Sequence, residues 1–405
     1  MSWPAQEWEP GAPGPLSGIR VLDMSRLVAG NMASLQLADF GADVVKVEPL
    51  PKGDPLRAWT QDGVATFWSV YGRNKRSIGL DFRSEGALDL LRRLIATADV
   101  MIENFRPGTL EKMGIGPEEL RGQHPELILL RVSGFGQTGP YARRPGFGTL
   151  IEGMSGFAAR NGEEGGQPLL PPLALADMIA GLYGANAVGM ALRARDAGQG
   201  GQVIDLSLLE AMTSVLGPEA LDYQVTGRVK PRVGNGSHTS SPRNTYRTRD
   251  GAWIAVSGSM QSMAERLFRA IGRADMIDDP RYATNADRVA HRHDVDGILG
   301  EWFAARSRDE AMAVLSETGV TAAPLLDAAD IAEDPHFQGR GIFVELPDPM
   351  LGTSIQHAPL PRMTVTPGRL RKPAPELGAD NVAVLEEAGF EPTSISELRT
   401  RGVVN

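Results

Sequence analysis

The sequence predicts an α/β fold: a parallel sheet with helices on its faces, joined to a smaller α+β domain. Three observations lead there. Up to about residue 207, β-rich runs alternate with helical ones. A stretch rich in glycine, serine, proline and basic residues, 227–244, then breaks the alternation. After it come a hairpin pattern and two or three helices in a different rhythm.

The elements follow in order. IRVLDMS (19–25) reads as a strand, NMASLQLADFG (31–41) as a helix ended by Gly41, and DVVKVEP (43–49) as a strand stopped by Pro49. RSIGLDF (76–82) is another strand, and SEGALDLLRRLIATA (84–98) an amphipathic helix capped by Ser84. DVMIENF (99–105) and LILLRVS (127–133) are strands with a short helical segment between them. A long helix is expected over 176–198, with another beginning after GGQVIDLS (200–207). RNTYRTRDGAWIAVSG (243–258) predicts a hairpin turning at Asp250–Gly251. Ser307 and Glu310 form a capping-box signature. The expected domains are 1–224, a smaller one over 225–330, and a return to the first over 331–405.

Composition narrows the function. The chain has 405 residues, 42% hydrophobic and 22% charged, which is ordinary for a globular protein. Its net charge of -9 argues against a nucleic-acid surface. There is no cysteine, which removes disulfides, thiolate metal sites and cysteine nucleophiles together. No run of apolar residues reaches bilayer length, and MSWPAQEWEP lacks a signal-peptide pattern, so a cytoplasmic protein without a membrane partner is expected.

GFGQTG, Gly134 to Gly139, fits the dinucleotide-binding pattern G-x-G-x-x-G. That pattern needs a helix opening within it, so that the helix N-terminus meets the pyrophosphate. Pro140 follows instead, so a tight turn at a strand's carboxyl end is favoured over an NAD or FAD site. The six histidines show no H-E-x-x-H, and no metal site is expected. Neither G-x-S-x-G nor a P-loop is present. Asp177 lies among apolar residues near the start of the long helix. It reads either as a first-turn carboxylate offsetting unpaired N–H groups or as a nucleophile with a thinned hydration shell. The loop Gly234 to Ser241 reads either as a solvated linker or as a segment able to approach a ligand closely. Arg73, Lys75, Arg76, Arg83, Arg106 and Lys112 read singly as solvated charges; converging on one crevice, several would bind an anion.

Taken together, LSGIRVLDMSRLVAG, LADFGADVVKVEP, NKRSIGLD, ENFRPGTLEKMGI, SGFGQTGP, ALADMIAGLYGA, GGQVIDLSLLEAM and TRDGAWIAV resemble the class III CoA-transferase family, which includes formyl-CoA and carnitine CoA-transferases and racemase relatives. The resemblance covers residues 15 to 395. It implies a Rossmann-like large domain built from both termini and a ring-shaped chain interlocked as a homodimer. It also implies that Asp177 is the catalytic carboxylate, working through a mixed anhydride and an aspartyl-CoA thioester. No tightly bound cofactor is implied, since CoA thioester enters as substrate beside a carboxylic acid.

By position, Val28 and Ala29 would flank the adenine, with Leu80 and Arg83 along the nucleotide. Asn104, Phe105, Lys112 and Met113 would hold CoA, and Arg106 a phosphate. Gly234, Asn235, Gly236, Ser237 and His238 would form the active-site loop, with serine, histidine and threonine where formyl-CoA transferase has glycines. Gly136, Gln137 and Phe147 would lie at the pocket, where the backbone N–H groups of Gly136 and Gln137 could stabilise an oxyanion. Racemase relatives carry a proton-transferring histidine and acid where this chain has Phe147 and Met260, which disfavours racemisation. Phe147 in turn suggests an apolar acid substrate. The remaining alternative, a CoA-ester binding protein without activity, is disfavoured by Asp177 in its motif.

Overall fold

Short apolar runs buried on both faces build the sheet. In this computed structural model, which describes residues 3–405, β1 (Arg20–Asp23), β2 (Asp43–Pro49), β3 (Lys75–Leu80), β4 (Val100–Glu103), β5 (Ile128–Ser133) and β6 (Val203–Ser207) pair in parallel. Their order is β3-β2-β1-β4-β5-β6. Strand order reverses between β1 and β4, so connections leave these two strands toward opposite sides and open a crevice at their carboxyl ends.

Helices fill both faces. On one, α1 (Leu27–Asp39) contributes Ala29, Ala33 and Leu37 to the core. It is followed by α2 (Thr66–Tyr71), and then by α3 (Ala87–Ile95), which sends Leu90, Leu91, Leu94 and Ile95 into the opposite face. The short α4 (Thr109–Lys112) and α5 (Pro117–Gln123) connect β4 to β5. α6 (Gly148–Met154) and α7 (Phe157–Arg160) precede α8 (Leu175–Ala194), which packs with α1; α9 (Leu208–Ser214) follows β6. A Cβ at Gly181 of α8 would lie 2.7 Å from the Ala29 carbonyl oxygen, so this glycine sets how closely α1 and α8 approach. By length and composition the helical segment Leu175–Gln199 could cross a membrane, contrary to the expectation from apolar runs. Here Ala176, Ala180, Val188 and Ala191 bury one face of it in the core, so its apolar composition serves packing.

The larger unit comprises residues up to Phe157, Leu170–Leu221 and His336–Asn405. Its C-terminal part protects the sheet edge: Ser77 and Gly79 of β3 donate their N–H groups to Asp380 and Asn381. The smaller unit comprises Ala158–Leu169 and Asp222–Pro335, so 158–169 belongs with it and not with the first domain as expected. It begins in α10 (Glu219–Thr226) and holds the hairpin of β7 (Arg243–Arg247) and β8 (Trp253–Ser257), with β9 (Ala322–Pro324) paired to β8. α11 (Gln261–Ala270), α12 (Asn285–Ala290), α13 (Arg292–Ala304) and α14 (Arg308–Glu317) pack around Tyr246, Phe268, Leu299 and Phe303. Ser307 and Glu310 form the expected capping box of α14.

α1 starts at Leu27, four residues before the expected Asn31. Gly30 lies in this first turn; a Cβ there would fall 2.0 Å from Ser25 Oγ, so it is the residue that lets the turn after β1 fold back on the helix. That turn rests on a cluster of charges with no solvent exposure. Lys46 lies 3.2 Å from Asp23 and 3.1 Å from Asp54, and Lys75 lies 3.7 Å from Asp23. Lys75 also donates to Asn31 Oδ1 at 3.0 Å, and Asp54 accepts the Leu27 N–H at 3.0 Å. Burial opposes ionisation of Asp23, but the two lysines and the hydroxyls of Ser25 and Ser34 hold its carboxyl below the usual range. Burial pushes Lys75 down to about 8 against the pull of Asp23.

Arg73 and Lys75 are thus not the solvated charges expected: Arg73 is buried against Asp39 at 2.7 Å. Arg76 pairs with Asp43 and Glu387. Replacing Lys46 by Met would leave two buried carboxylates with Lys75 as their only cation in the cluster. The expected cost is about 3–5 kcal/mol, seen as a lower denaturant midpoint. An unchanged midpoint would contradict the role given to this cluster.

Candidate active site

The crevice at the carboxyl ends of β1 and β4 brings together residues from six segments, Leu208 at the start of α9 among them. Arg26, Leu27 and Ala29 come from the β1–α1 turn, Asn104, Phe105 and Arg106 from the end of β4. Ser133 and Gly134 end β5, Arg144, Gly146 and Phe147 lead into α6, and Asp177 stands in the first turn of α8. Leu27 adopts φ 61°, a left-handed conformation that costs energy for a leucine. Its N–H is held by Asp54, so the buried cluster offsets the strain and places Arg26 at the crevice. Asn104 ties the two strand ends together: its Oδ1 accepts the Arg26 N–H at 2.9 Å and its Nδ2 donates to the Arg26 carbonyl at 2.7 Å.

Asp177 sits against α6. A Cβ on Gly148 would lie 2.1 Å from Asp177 Oδ2, so the carboxylate occupies space that any larger residue would claim. Glu152, only 2% exposed, accepts the Ala176 N–H at 3.1 Å and brings a second acid close to Asp177. Burial and then the Glu152 charge push Asp177 up to about 6. The first-turn position alone would favour ionisation; burial and the neighbouring acid outweigh it. At neutral pH about nine-tenths of Asp177 is still ionised. Among the described residues no cation pairs with it. The result is an available carboxylate of raised basicity, suited to attack a carbonyl.

The glycine turn has a different role from the one expected. Gly134 and Gly146 touch: a Cβ on Gly134 would lie 2.6 Å from Gly146 Cα. Gly136 (φ 88°) and Gly139 (φ 86°) supply the left-handed turns between them. The Gly136 N–H donates to Ser133 Oγ at 3.0 Å and the Gln137 N–H to the Asp205 carboxylate at 3.0 Å. Both donors already have partners, one at the end of β5 and one on β6, so neither is free to stabilise an oxyanion. Gly136 and Gln137 also do not line the crevice.

The other expected contacts divide. Ala29, Asn104, Phe105, Arg106 and Phe147 share the crevice with Asp177. Val28 and Leu80 have buried side chains, which leaves any ligand contact to their backbone. Arg83 lines a separate hollow with Leu50, Pro51 and Asn405, beyond the end of β3. Lys112 is exposed at the end of α4, and Met113 packs on the core. The loop Gly234 to Ser241 lies in the smaller unit and is tied down. Gly234 donates to the Gly162 carbonyl at 3.0 Å, Asn235 to Thr245 at 2.8 Å, and His238 Nε2 to the Pro231 carbonyl at 2.8 Å. Ser237 and Thr239 bond to each other, and Gly236 accepts from Arg243. Among the described residues no cluster of three His, Cys, Asp or Glu side chains could hold a metal.

Sequence reasoning missed Arg26, Arg144 and Glu152; Gly148 it had placed beside Phe147 at the substrate site. Arg26 carried a signal, standing just past the first strand, where ligands of such sheets bind. Glu152 carried none, because its burial depends on how α6 packs beneath α8.

The fold and crevice define an α/β protein with a switch-point crevice that holds an unpaired, partly buried carboxylate. The comparisons make this specific. The CoA-transferase family III model matches residues 16–381. The chain is 36% identical over 396 residues to succinyl-CoA–D-citramalate CoA-transferase of Chloroflexus aurantiacus, covering 97% of this chain and 98% of that one. It is 38% identical over 389 residues to succinate–glutarate CoA-transferase of Agrobacterium fabrum, covering 93% and 96%. A crystal structure of a CAIB/BAIF family protein from Brucella suis superposes with a TM-score of 0.82 at 35% identity, covering 93% of this chain and 100% of that one. The chain belongs to CoA-transferase family III and is a CoA-transferase.

The Asp177 environment sets a pH dependence. If Asp177 acts as its carboxylate, activity of the free enzyme, as kcat/KM, should fall as pH drops through about 6, where that carboxylate becomes protonated. Glu152→Gln keeps an oxygen for the Ala176 N–H but removes the charge, so the acid limb should move to lower pH. A limb that stays in place would show that Glu152 does not act on Asp177.

Proposed function

We propose that this enzyme moves CoA between short dicarboxylic acids through covalent intermediates on Asp177. The observation that carries the reading is an unpaired, partly buried carboxylate of raised basicity at the switch-point crevice. The Asp177 oxygen attacks the donor thioester carbonyl, and the C–S bond breaks. This gives a mixed anhydride and CoA thiolate. The thiolate attacks the aspartyl carbonyl and expels the donor acid, leaving an aspartyl-CoA thioester. The acceptor carboxylate then attacks that thioester, releases the thiolate and forms a second anhydride. Attack of the thiolate on the acceptor's acyl carbon yields the new acyl-CoA and frees Asp177. No proton need move in any step, which fits a crevice where Phe147 stands in place of a proton carrier.

Arg26 and Arg106 suit the CoA phosphates: both flank the switch point and neither pairs with a carboxylate among the described residues. CoA thioester thus arrives as substrate, with no resident cofactor required. For the loop Gly234 to Ser241, a role in keeping water from the thioester rests on the resemblance to the family alone. The dicarboxylate class rests on the relatives named for succinyl-CoA, citramalate, succinate and glutarate. It replaces the apolar acid that Phe147 alone suggested.

A homodimer is part of the proposal. Leu182 (49% exposed), Tyr183 (42%) and Met190 (64%) on α8, with Val215 (51%) after α9, present apolar surface on the larger unit. Groups of this kind mark association surfaces. Sedimentation should give twice the mass of the 405-residue chain; a monomer at micromolar concentration would contradict it.

The covalent route is tested by incubation with succinyl-CoA without acceptor, followed by hydroxylamine or borohydride. Peptide mass spectrometry should find a hydroxamate or an alcohol at Asp177, and Asp177→Ala should abolish both adduct and transfer. Transfer that survives in Asp177→Ala would refute the route.

A further inference from the structure

Arg144 is the one arginine of the crevice that the CoA phosphates leave without a task. Its guanidinium lies 3.7 Å from the Tyr141 ring centroid, and Tyr141 packs edge-on against Phe135 at 5.8 Å. The Gly134–Gly146 contact closes this segment into a self-packed loop, and the Arg144 N–H bonds to the Tyr141 carbonyl at 2.8 Å. The side chain is therefore pre-ordered, while no carboxylate among the described residues pairs with it. An ordered, solvent-reachable cation lining a catalytic crevice is equipped to take an anion from the ligand.

Its place decides which anion. Arg26 and Arg106 stand at the ends of β1 and β4, on the switch-point side where a pyrophosphate sits. Arg144 stands on the strand-to-helix connection that runs on through Phe147 to Gly148, the residue against which Asp177 rests. Four residues of chain span at most about 14 Å. A long arginine side chain on that connection can reach a group attached to the thioester carbonyl under attack.

We infer that Arg144 reads the distal carboxylate of a dicarboxylic acyl-CoA and so selects dicarboxylic over monocarboxylic substrates. This rests on the CoA-transfer reading of the same site. The orientation also explains why transfer can run both ways: donor and acceptor each present one carboxyl carbon to Asp177 and the other carboxylate to Arg144.

The test compares succinyl-CoA with butyryl-CoA, which has the same chain length without the terminal charge, in the wild type, Arg144→Met and Arg144→Lys. In the wild type, kcat/KM should favour succinyl-CoA. Arg144→Met should reduce that preference by roughly 10- to 100-fold, the loss expected for a charged hydrogen bond, and Arg144→Lys should restore part of it. Inhibition by free CoA, which carries the phosphates but no acyl group, should weaken far less. If both esters and free CoA weaken equally in Arg144→Met, Arg144 holds CoA and the inference is overturned while transfer stands. If the wild type prefers butyryl-CoA, the inference falls together with the dicarboxylate reading. If it forms no aspartyl adduct from either ester, the covalent route beneath both has failed.

Discussion

The site depends on four buried charges. Asp23, Lys46, Asp54 and Lys75 meet beneath the turn after β1 with no side-chain solvent exposure. Burying such groups is costly unless each is paired and its remaining bonding capacity is filled. Here two anions meet two cations, and Ser25, Ser34 and Asn31 fill much of what remains. That arrangement is satisfied in one geometry, with β1, β2 and β3 in register and the turn after β1 folded onto α1. Holding Leu27 in a left-handed conformation is part of the same arrangement, since Asp54 takes its N–H. The cluster therefore reads as a device for specificity of shape rather than for gross stability. What it shapes is one wall of the crevice that holds Asp177.

The opposite wall is made by close approach. Gly181 brings α8 onto α1, Gly148 gives room to the Asp177 carboxylate, and Gly134 meets Gly146 to fold the loop that carries Arg144. None of these glycines is an ornament of a flexible loop. Each stands where a Cβ would collide with backbone or with a reacting group. Against this wall Glu152 and burial act together on Asp177. A more basic carboxylate attacks a thioester better but also leaves an anhydride less readily. A pKa near 6 keeps it ionised at neutral pH while raising its basicity above that of an ordinary aspartate.

Much of this was legible in the sequence, for physical reasons. Strand and helix periodicity, the Ser307–Glu310 capping box and the Asp250–Gly251 turn are local signals, and the structure contains each. The proline after GFGQTG excluded a helix there, and the turn is indeed closed on itself. The first turn of α1 was not expected, and within it Gly30 admits Ser25 rather than ending the helix. Arg73 and Lys75 misled because a basic tetrapeptide reads as surface until its acidic partners, far away in sequence, are seen to meet it. The oxyanion role of Gly136 and Gln137 failed for a similar reason: Asp205, nearly seventy residues on, already holds one of the donors. Glu152 is visible only once packing sets it near Asp177, and Arg144 only once the crevice that both line is seen.

The central claim is that Asp177 carries the acyl group and then CoA within each turnover. Oxygen bookkeeping tests this most directly. With a heavy-oxygen label in the acceptor's carboxylate and succinyl-CoA as donor, each turnover should leave one labelled oxygen on the Asp177 carboxylate. That oxygen should leave in the succinate released by a later turnover, with no oxygen entering from water. Succinate that stays unlabelled through many turnovers, or that takes its oxygen from solvent, would contradict the account.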